Sequence, residues 1–101
     1  MNKFSIIIPT LNEKKNIRLL IKKIKELLKK KIYQIIVIDD NSYDGSLDVL
    51  KDLKKNVKNF YFYIRKKETR DLSKSVLYGV KKSKYSNLII MDGDLQHNPK
   101  Y

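Results

Sequence analysis

Short runs of β-branched or aromatic residues alternate along this chain with longer segments whose apolar residues recur every three or four positions. The short runs cover residues 4–8, 35–38, 60–64 and 88–91, and Pro9 is expected to end the first because it lacks a ladder donor. Strands alternating with helices predict an α/β fold, a parallel sheet with helices on its faces. We expect β-α-β-α-β-α-β with strand order 3-2-1-4.

Three segments between the strands have the periodicity of amphipathic helices. Ser46 is a candidate N-cap for the second helix, and Asp71 or Ser73 for the third, which is expected to end near Ser83. The fourth strand is continuously apolar, which predicts that it is covered on both faces. The helix residues predicted to face inward are Ile17, Leu20, Ile21, Ile24, Leu27, Leu28, Leu47, Leu50, Leu53, Val57, Val76, Leu77 and Val80.

Length and composition exclude several classes of protein. The 101 residues suffice for one domain, the hydrophobic share of 42% argues against disorder, and the absence of cysteine excludes disulfides and zinc–thiolate sites. The net charge of +12 is compatible with nucleic acid, anionic lipid or polyphosphate ligands, but lysines scattered along helices favour solvated faces, so no nucleic-acid partner is expected. With no run near the roughly 18 apolar residues of a membrane span, we expect a cytoplasmic protein, or one peripheral to the cytoplasmic membrane face.

Carboxylates follow two of the predicted strands at the point where each strand ends. Asp39 and Asp40 follow the second strand, and Asp92 and Asp94 flank Gly93 after the fourth. Right-handed crossovers place all four carboxyl ends at one edge of a parallel sheet, where such folds bind ligands. Adjacent carboxylates repel unless a cation lies between them, and their hard oxygens suit Mg²⁺ or Mn²⁺ shared with nucleotide phosphates.

Other nucleotide- and phosphate-binding folds fit the motifs less well. The first strand is followed by neither a Gly-rich dinucleotide turn nor a P-loop lysine motif. A receiver domain phosphorylated at Asp39 or Asp40 leaves the acidic strand end at Asp92 unexplained. For Asp44 a turn or cap role is favoured.

Two further residues each allow two interpretations. Glu13 lies in a predicted first helical turn, where its negative charge stabilises the helix dipole whether or not it binds a ligand. The single histidine, His97, is as compatible with a solvated or capping role as with positioning a loop or an acceptor phosphate.

Four motifs, in order, resemble family 2 glycosyltransferases of the GT-A fold, especially the dolichol-phosphate mannosyltransferase and polyprenyl-phosphate glycosyltransferase branch. They are SIIIPTLNE at residues 5–13, VIDDNSYDG at 37–45, DLSKSV at 71–76 with Gly79, and MDGDLQHNP at 91–99. The resemblance covers the whole chain. It implies that residues 1–101 form the N-terminal, nucleotide-sugar-binding part of a three-layer, Rossmann-like GT-A domain.

The resemblance implies roles for the loops that follow the first two strands. Pro9, Leu11 and Glu13 would border the nucleotide, and the Glu13 carboxylate would accept from a ribose or base donor. Asp40 would read the base edge, with Asp39 beside it orienting the loop. The partner implied is a nucleotide sugar, GDP- or UDP-linked.

The resemblance also implies a metal and phosphate site near the fourth strand. Asp92, Asp94 and Gln96 would hold Mg²⁺ or Mn²⁺ against the diphosphate, and Asp92 would also border the nucleotide sugar. Arg70 and Lys74 would add donors to the phosphates. A polyprenyl or dolichyl phosphate at a membrane surface would then accept the sugar.

Two departures from the family pattern affect these expectations. Many relatives carry Gly-Leu-Gly where this chain has Asp71-Leu-Ser73, which leaves the substrate open. The family's catalytic domain also continues well past the metal motif, and the carboxylate that deprotonates the acceptor lies in that continuation. We therefore expect these 101 residues to hold metal and nucleotide but not to complete sugar transfer alone. A non-catalytic nucleotide-binding module and a basic nucleic-acid-binding domain are the competing classes.

Overall fold

The computed structural model describes residues 3–66 and 71–91, which form four strands and three helices. None of the described helices is long and apolar enough to cross a membrane. The elements in chain order are β1 (Lys3–Thr10), α1 (Lys14–Leu27), β2 (Ile32–Asp39), α2 (Ser46–Asn56), β3 (Phe60–Ile64), α3 (Leu72–Lys82) and β4 (Asn87–Ile90).

All four strands are parallel and lie in the order β3-β2-β1-β4, which confirms the predicted α/β fold and its strand order. The sheet separates two groups of buried side chains, because successive residues of a strand face opposite sides. Ile6, Ile8 and Val37 face α1 and α2, whereas Ile7 and Ile38 face α3. The three layers follow from burial on both faces of the two central strands.

Pro9 lies inside β1, so the prediction that it ends the strand is wrong. Thr10 still pairs with Asp39 of β2, and the Asp40 N–H donates to the Thr10 carbonyl at 2.9 Å. The Ile7 carbonyl accepts from Met91 on the opposite side, and β1–β4 pairing stops at Ile7 with Ile90. The backbone groups of Pro9 point toward β4, as those of Ile7 do, because residues two apart in a strand share a direction. Since β1–β4 pairing ends at Ile7, the missing N–H of Pro9 costs no hydrogen bond of the β1–β4 ladder.

The face of α3 that meets the sheet consists of small residues, which corrects the predicted inward position of Leu77. Ser75 and Gly79 are its buried residues, while Leu77 is 59% exposed. A Cβ built on Gly79 would come within 2.5 Å of the Ile7 side chain. The helix therefore approaches the sheet too closely for a large side chain at the centre of the contact.

Other predicted core positions also lie outside the core. In α2, Val49 is buried and Leu47, which was predicted to face inward, is exposed. Each residue of a helix is rotated by about 100° from the one before it, so Leu47 lies beside the buried face and not on it. That face consists of residues 46, 49, 50 and 53. Leu27 of α1 is exposed, too. Leu88 and Ile90 of β4 are also exposed, so β4 is covered on one face only, since α3 packs over β1 and β2.

We predict that Gly79→Ala destabilises the chain by about 1–3 kcal/mol, because the added methyl group collides with Ile7. The sign is diagnostic, since Gly→Ala in an unobstructed helix interior stabilises by up to about 1 kcal/mol. Urea denaturation monitored by circular dichroism measures the change. Lys81→Ala on the exposed side of α3 is the control, expected within about 0.5 kcal/mol. A stabilised Gly79→Ala variant would show that the close approach does not exist.

Candidate nucleotide site at the carboxyl edge of the sheet

The carboxyl edge of the sheet brings together the ends of β1, β2 and β4 and the starts of all three helices. Each helix follows a strand, so its first turn lies at this edge, where helix N-termini carry partial positive charge. Met91 donates its N–H to the Ile7 carbonyl at 2.9 Å, so β4 also exits here, beside β1. This edge has the backbone electrostatics of an anion site.

Asp39 is buried at the end of β2 and organises the loop that follows. Its Oδ1 accepts from the Thr10 hydroxyl at 2.9 Å and from the Ser42 hydroxyl at 2.6 Å, and its Oδ2 accepts from the Ser42 N–H at 2.7 Å. Asp39 is only 2% exposed. These contacts orient the loop that follows β2 and leave Asp39 little surface for a ligand.

Ser42 and Asn12 join the loop after β2 to the loop after β1. The Asn12 N–H donates to Ser42 Oγ at 2.7 Å, and the Tyr43 N–H donates to Asn12 Oδ1 at 2.9 Å. Asn12 and Asn41 both have positive φ, a conformation that asparagine tolerates better than most residues. The two loops therefore form one hydrogen-bonded unit.

Asp44 links the first turns of α1 and α2, which agrees with the turn and cap role favoured from the sequence. Its Oδ2 accepts from the Lys14 N–H, and its Oδ1 accepts from the N–H and the hydroxyl of Ser46. Burial works to raise the pKa of Asp44, but the hydrogen bonds from Ser46 and Lys14 outweigh it and lower that pKa. The carboxylate is thus held in its charged form.

Asp40 faces the opposite side of the sheet from Asp39 and meets residues of β3 and α3. Its Oδ1 accepts from the Ser75 hydroxyl at 2.8 Å and lies 3.3 Å from Arg65 Nε. Both side chains of this ion pair are nearly buried, with 6% exposed for Arg65 and 4% for Asp40. Arg65 Nε makes no hydrogen bond of good geometry within the described part of the chain. Ser75 and Arg65 thus help to orient Asp40.

The remaining predicted nucleotide residues differ in exposure. Pro9 is buried, whereas Leu11 and Glu13 are partly exposed just before α1, where Glu13 Oε1 accepts from Asn16 Nδ2 at 3.2 Å. Lys74 is exposed in the first turn of α3. Its backbone N–H donates to Asp71 Oδ1 at 3.1 Å, which makes Asp71 the cap of that helix.

The predicted metal ligands and one of the two predicted phosphate donors lie outside the described residues. These are Asp92, Asp94, Gln96 and Arg70, together with His97. Within residues 3–66 and 71–91, no three His, Asp or Glu side chains are grouped so that they could hold a metal ion.

Sequence reasoning did not identify Thr10, Ser42, Arg65 and Ser75. The strand order contained a signal for Thr10, since β1 and β2 are neighbours and Thr10 ends one as Asp39 ends the other. Ser75 lies four positions before Gly79 and therefore shares its buried helix face. No sequence signal distinguishes Arg65 from the lysines that follow β3.

Residues 5–101 match the family model described as Glycosyl transferase family 2. The chain belongs to this glycosyltransferase family. It is 37% identical over 98 residues to the dolichol-phosphate mannosyltransferase of Pyrococcus furiosus, and 37% identical over 102 residues to the enzyme of that name from Saccharomyces cerevisiae. These alignments cover 97% and 96% of the chain, but the glycosyltransferase chain spans only 27% and 37% of the length of these relatives.

Solved structures of glycosyltransferases share the fold of this family 2 chain. TarS of S. aureus superposes with a TM-score of 0.77 at 22% identity, covering 91% of this chain and 16% of TarS. The mannosyltransferase PcManGT of Pyrobaculum calidifontis, solved in complex with GDP-Man and Mn²⁺, superposes with a TM-score of 0.74 at 20% identity, covering 90% and 27%. These similarities confirm that the sheet is part of a GT-A fold.

We predict that Asp44→Asn makes the stability of this glycosyltransferase chain less dependent on pH. The pKa of Asp44 is lower in the folded chain than in the unfolded chain, where it is about 4, so the ionised carboxylate stabilises the fold at pH values above about 4. This stabilisation is lost as the pH falls through the folded-state pKa of Asp44. The variant should lose about 1 kcal/mol at pH 7, because the amide nitrogen cannot accept from a helix N–H, and should show a shallower acid slope.

Urea titrations at a series of pH values measure both effects. The exposed Asp48→Asn, in the first turn of α2, is the control and should lose about 0.5 kcal/mol or less. An acid slope identical in wild type and Asp44→Asn would contradict the assignment.

We predict different costs for removing the two arginine–aspartate pairs. Arg65→Met should destabilise by about 3 kcal/mol, because the Asp40 carboxylate stays in a buried setting without the arginine charge. Arg18→Met should cost under about 1 kcal/mol, because the Arg18–Asp52 pair, 2.7 Å apart, is about half exposed. Denaturant unfolding compares the two variants. Equal losses would contradict the burial of the Arg65–Asp40 pair.

Proposed function

We propose that this chain binds the nucleotide diphosphate of a nucleotide sugar at the carboxyl edge of its sheet, together with a divalent cation. The observation that supports this most directly is the joining of the loops after β1 and β2 by Asp39, Ser42 and Asn12, beside the exit of β4. A bound nucleotide would thus meet a preformed wall. Under this proposal residues 1–101 are the nucleotide-sugar-binding part of a GT-A domain.

Base and ribose recognition is assigned to the first two loops. Glu13 is partly exposed, and its carboxylate can accept from ribose hydroxyls. The partly exposed Leu11 would offer apolar surface beside it, and the buried Pro9 would support the backbone that leads to this loop. Asp40 would read the base edge with the small exposed part of its side chain, and Ser75 and Arg65 fix its orientation. Asp39 supports the loop after β2 through its hydrogen bonds from Ser42.

The diphosphate is assigned to the start of α3 and to cationic side chains. The exposed Lys74 lies in the first turn of α3, where the helix N-terminus also favours anions. Arg70, shortly before this helix in the sequence, would give a bidentate grip on phosphate oxygens. These charges would complement those of the metal.

Asp92, Asp94 and Gln96 would hold the cation. They offer only oxygen ligands, which suits Mg²⁺ or Mn²⁺. When bound, the metal acts as a Lewis acid on the diphosphate and stabilises the charge of the departing nucleotide. The Mn²⁺ in the PcManGT complex supports this choice by similarity of fold.

For the whole protein we propose transfer of the sugar to a polyprenyl or dolichyl phosphate from the cytoplasmic side of a membrane. The support is the family and the identity to dolichol-phosphate mannosyltransferases. GDP-mannose is bound in PcManGT and UDP-GlcNAc in TarS, so both nucleotides are candidates for the donor.

We predict that the chain binds GDP or UDP in a Mn²⁺-dependent manner and that Asp94→Ala weakens this binding at least about tenfold, since it removes one cation ligand. Isothermal titration of nucleotide with and without Mn²⁺ measures the affinity. The matched control is Asp52→Ala, which removes an exposed carboxylate of α2 and should leave nucleotide affinity unchanged. Binding that is indifferent to both Mn²⁺ and Asp94→Ala would contradict the metal proposal.

A transfer assay with a nucleotide sugar and a polyprenyl phosphate separates binding from catalysis. Metal-dependent nucleotide binding without transfer by the chain supports the nucleotide-binding assignment alone. Salt-sensitive binding to DNA that Asp94→Ala leaves unchanged, with no nucleotide binding, would favour a basic nucleic-acid-binding domain instead.

A further inference from the structure

The hydroxyl of Ser75 joins the first turns of α3 to Asp40, the residue that follows β2. Ser75 is completely buried, and its Oγ donates to Asp40 Oδ1 at 2.8 Å. The two residues are 35 positions apart, so this hydrogen bond connects parts of the chain that the sequence does not hold together. Because the acceptor is a carboxylate, the bond is stronger than one between two neutral groups.

α3 lies close enough to the sheet for so short a side chain to reach Asp40. Ser75 and Gly79 are its buried residues, one helical turn apart, and a Cβ at Gly79 would come within 2.5 Å of the Ile7 side chain. A large side chain at position 75 would push the helix away from the sheet, whereas alanine would keep the approach and remove the donor. The contact between α3 and Asp40 therefore depends on one hydroxyl.

The start of α3 also carries Lys74, the exposed residue assigned above to the diphosphate. The Lys74 N–H donates to Asp71 Oδ1 at 3.1 Å, and the Ser75 N–H donates to the Asp71 carbonyl at 3.0 Å. These two bonds close the beginning of the helix. The backbone of Lys74 is thus held on one side by Asp71 and on the other, through the neighbouring Ser75, by Asp40.

Arg65 also contacts Asp40, but from a different element. Its Nε lies 3.3 Å from the same Oδ1, and its backbone N–H donates to the Asp39 carbonyl at 2.8 Å, which extends the pairing of β3 with β2. Arg65 therefore ties Asp40 to β3, whereas Ser75 ties it to α3.

We propose that Ser75 is a positioning residue that couples recognition of the base to binding of the diphosphate. This inference rests on the proposed function, in which Asp40 meets the base and Lys74 meets the phosphates. A base bound to Asp40 keeps the carboxylate in the orientation that Ser75 contacts, and the start of α3 then keeps Lys74 in place for the phosphates. Residues of one hydrogen-bonded network contribute non-additively, by roughly 2- to 150-fold in an equilibrium constant.

Titration calorimetry in the presence of Mg²⁺ tests the proposal by comparing GDP and UDP with pyrophosphate, which lacks the base. We expect Lys74→Ala to weaken nucleotide binding about fivefold more than it weakens pyrophosphate binding. In the Ser75→Ala background, Lys74→Ala should weaken both ligands by the same factor, because the coupling has been removed. A purely structural role of Ser75 would lower both affinities and leave the difference caused by Lys74→Ala in place.

Ser73→Ala is the matched control, since Ser73 is exposed at the start of the same helix. In this background the difference between nucleotide and pyrophosphate should remain about fivefold. Ser75→Cys keeps most of the side-chain volume but offers only a weak S–H donor, so it should behave as Ser75→Ala does. Circular dichroism should show that every variant is folded.

The outcomes separate this inference from the proposed function. Wild-type chain that binds neither GDP nor UDP would overturn the proposed function, and this inference with it. Nucleotide binding in which Lys74→Ala costs the same factor for nucleotide and for pyrophosphate would overturn the inference alone. So would a difference that survives in both Ser75→Ala and Ser75→Cys.

Discussion

The buried carboxylate of Asp39 is the group on which the carboxyl edge depends. A charge this far from solvent is costly unless it is hydrogen-bonded, and three donors from Thr10 and Ser42 satisfy it. Those donors come from two neighbouring strand ends. The requirement to satisfy one anion therefore links the end of β1 to the loop after β2 and fixes the course of that loop.

The two adjacent aspartates have different structural roles because side chains alternate along a strand. Asp39 faces the α1–α2 layer and holds loops together, whereas Asp40 faces α3 and meets Ser75 and Arg65. One dipeptide thus connects both helical layers to the site edge. Ser75 reaches Asp40 because the small residues of α3 allow that helix to lie close to the sheet.

The sequence predicted the layers and the strand order, because alternating strand and helix patterns joined by right-handed crossovers give a parallel sheet with helices on both faces. The predicted inward positions of Leu77 and Leu47 are wrong. The pattern of hydrophobic residues identifies the buried face of a helix only approximately, and it does not show how closely the helix backbone approaches the sheet. The prediction for Pro9 failed because the cost of a missing donor depends on which neighbour it would have faced. Asp40 was assigned to a base, and its ion pair with Arg65 could not be read from residues 25 positions apart.

Asp44 joins two helices through a single carboxylate, since one oxygen accepts from the start of α1 and the other from the start of α2. Neither helix can tilt at that end without stretching a bond to the same side chain. The starts of α1 and α2 are therefore tied together at the carboxyl edge by one side chain, whereas α3 in the opposite layer is capped independently by its own Asp71.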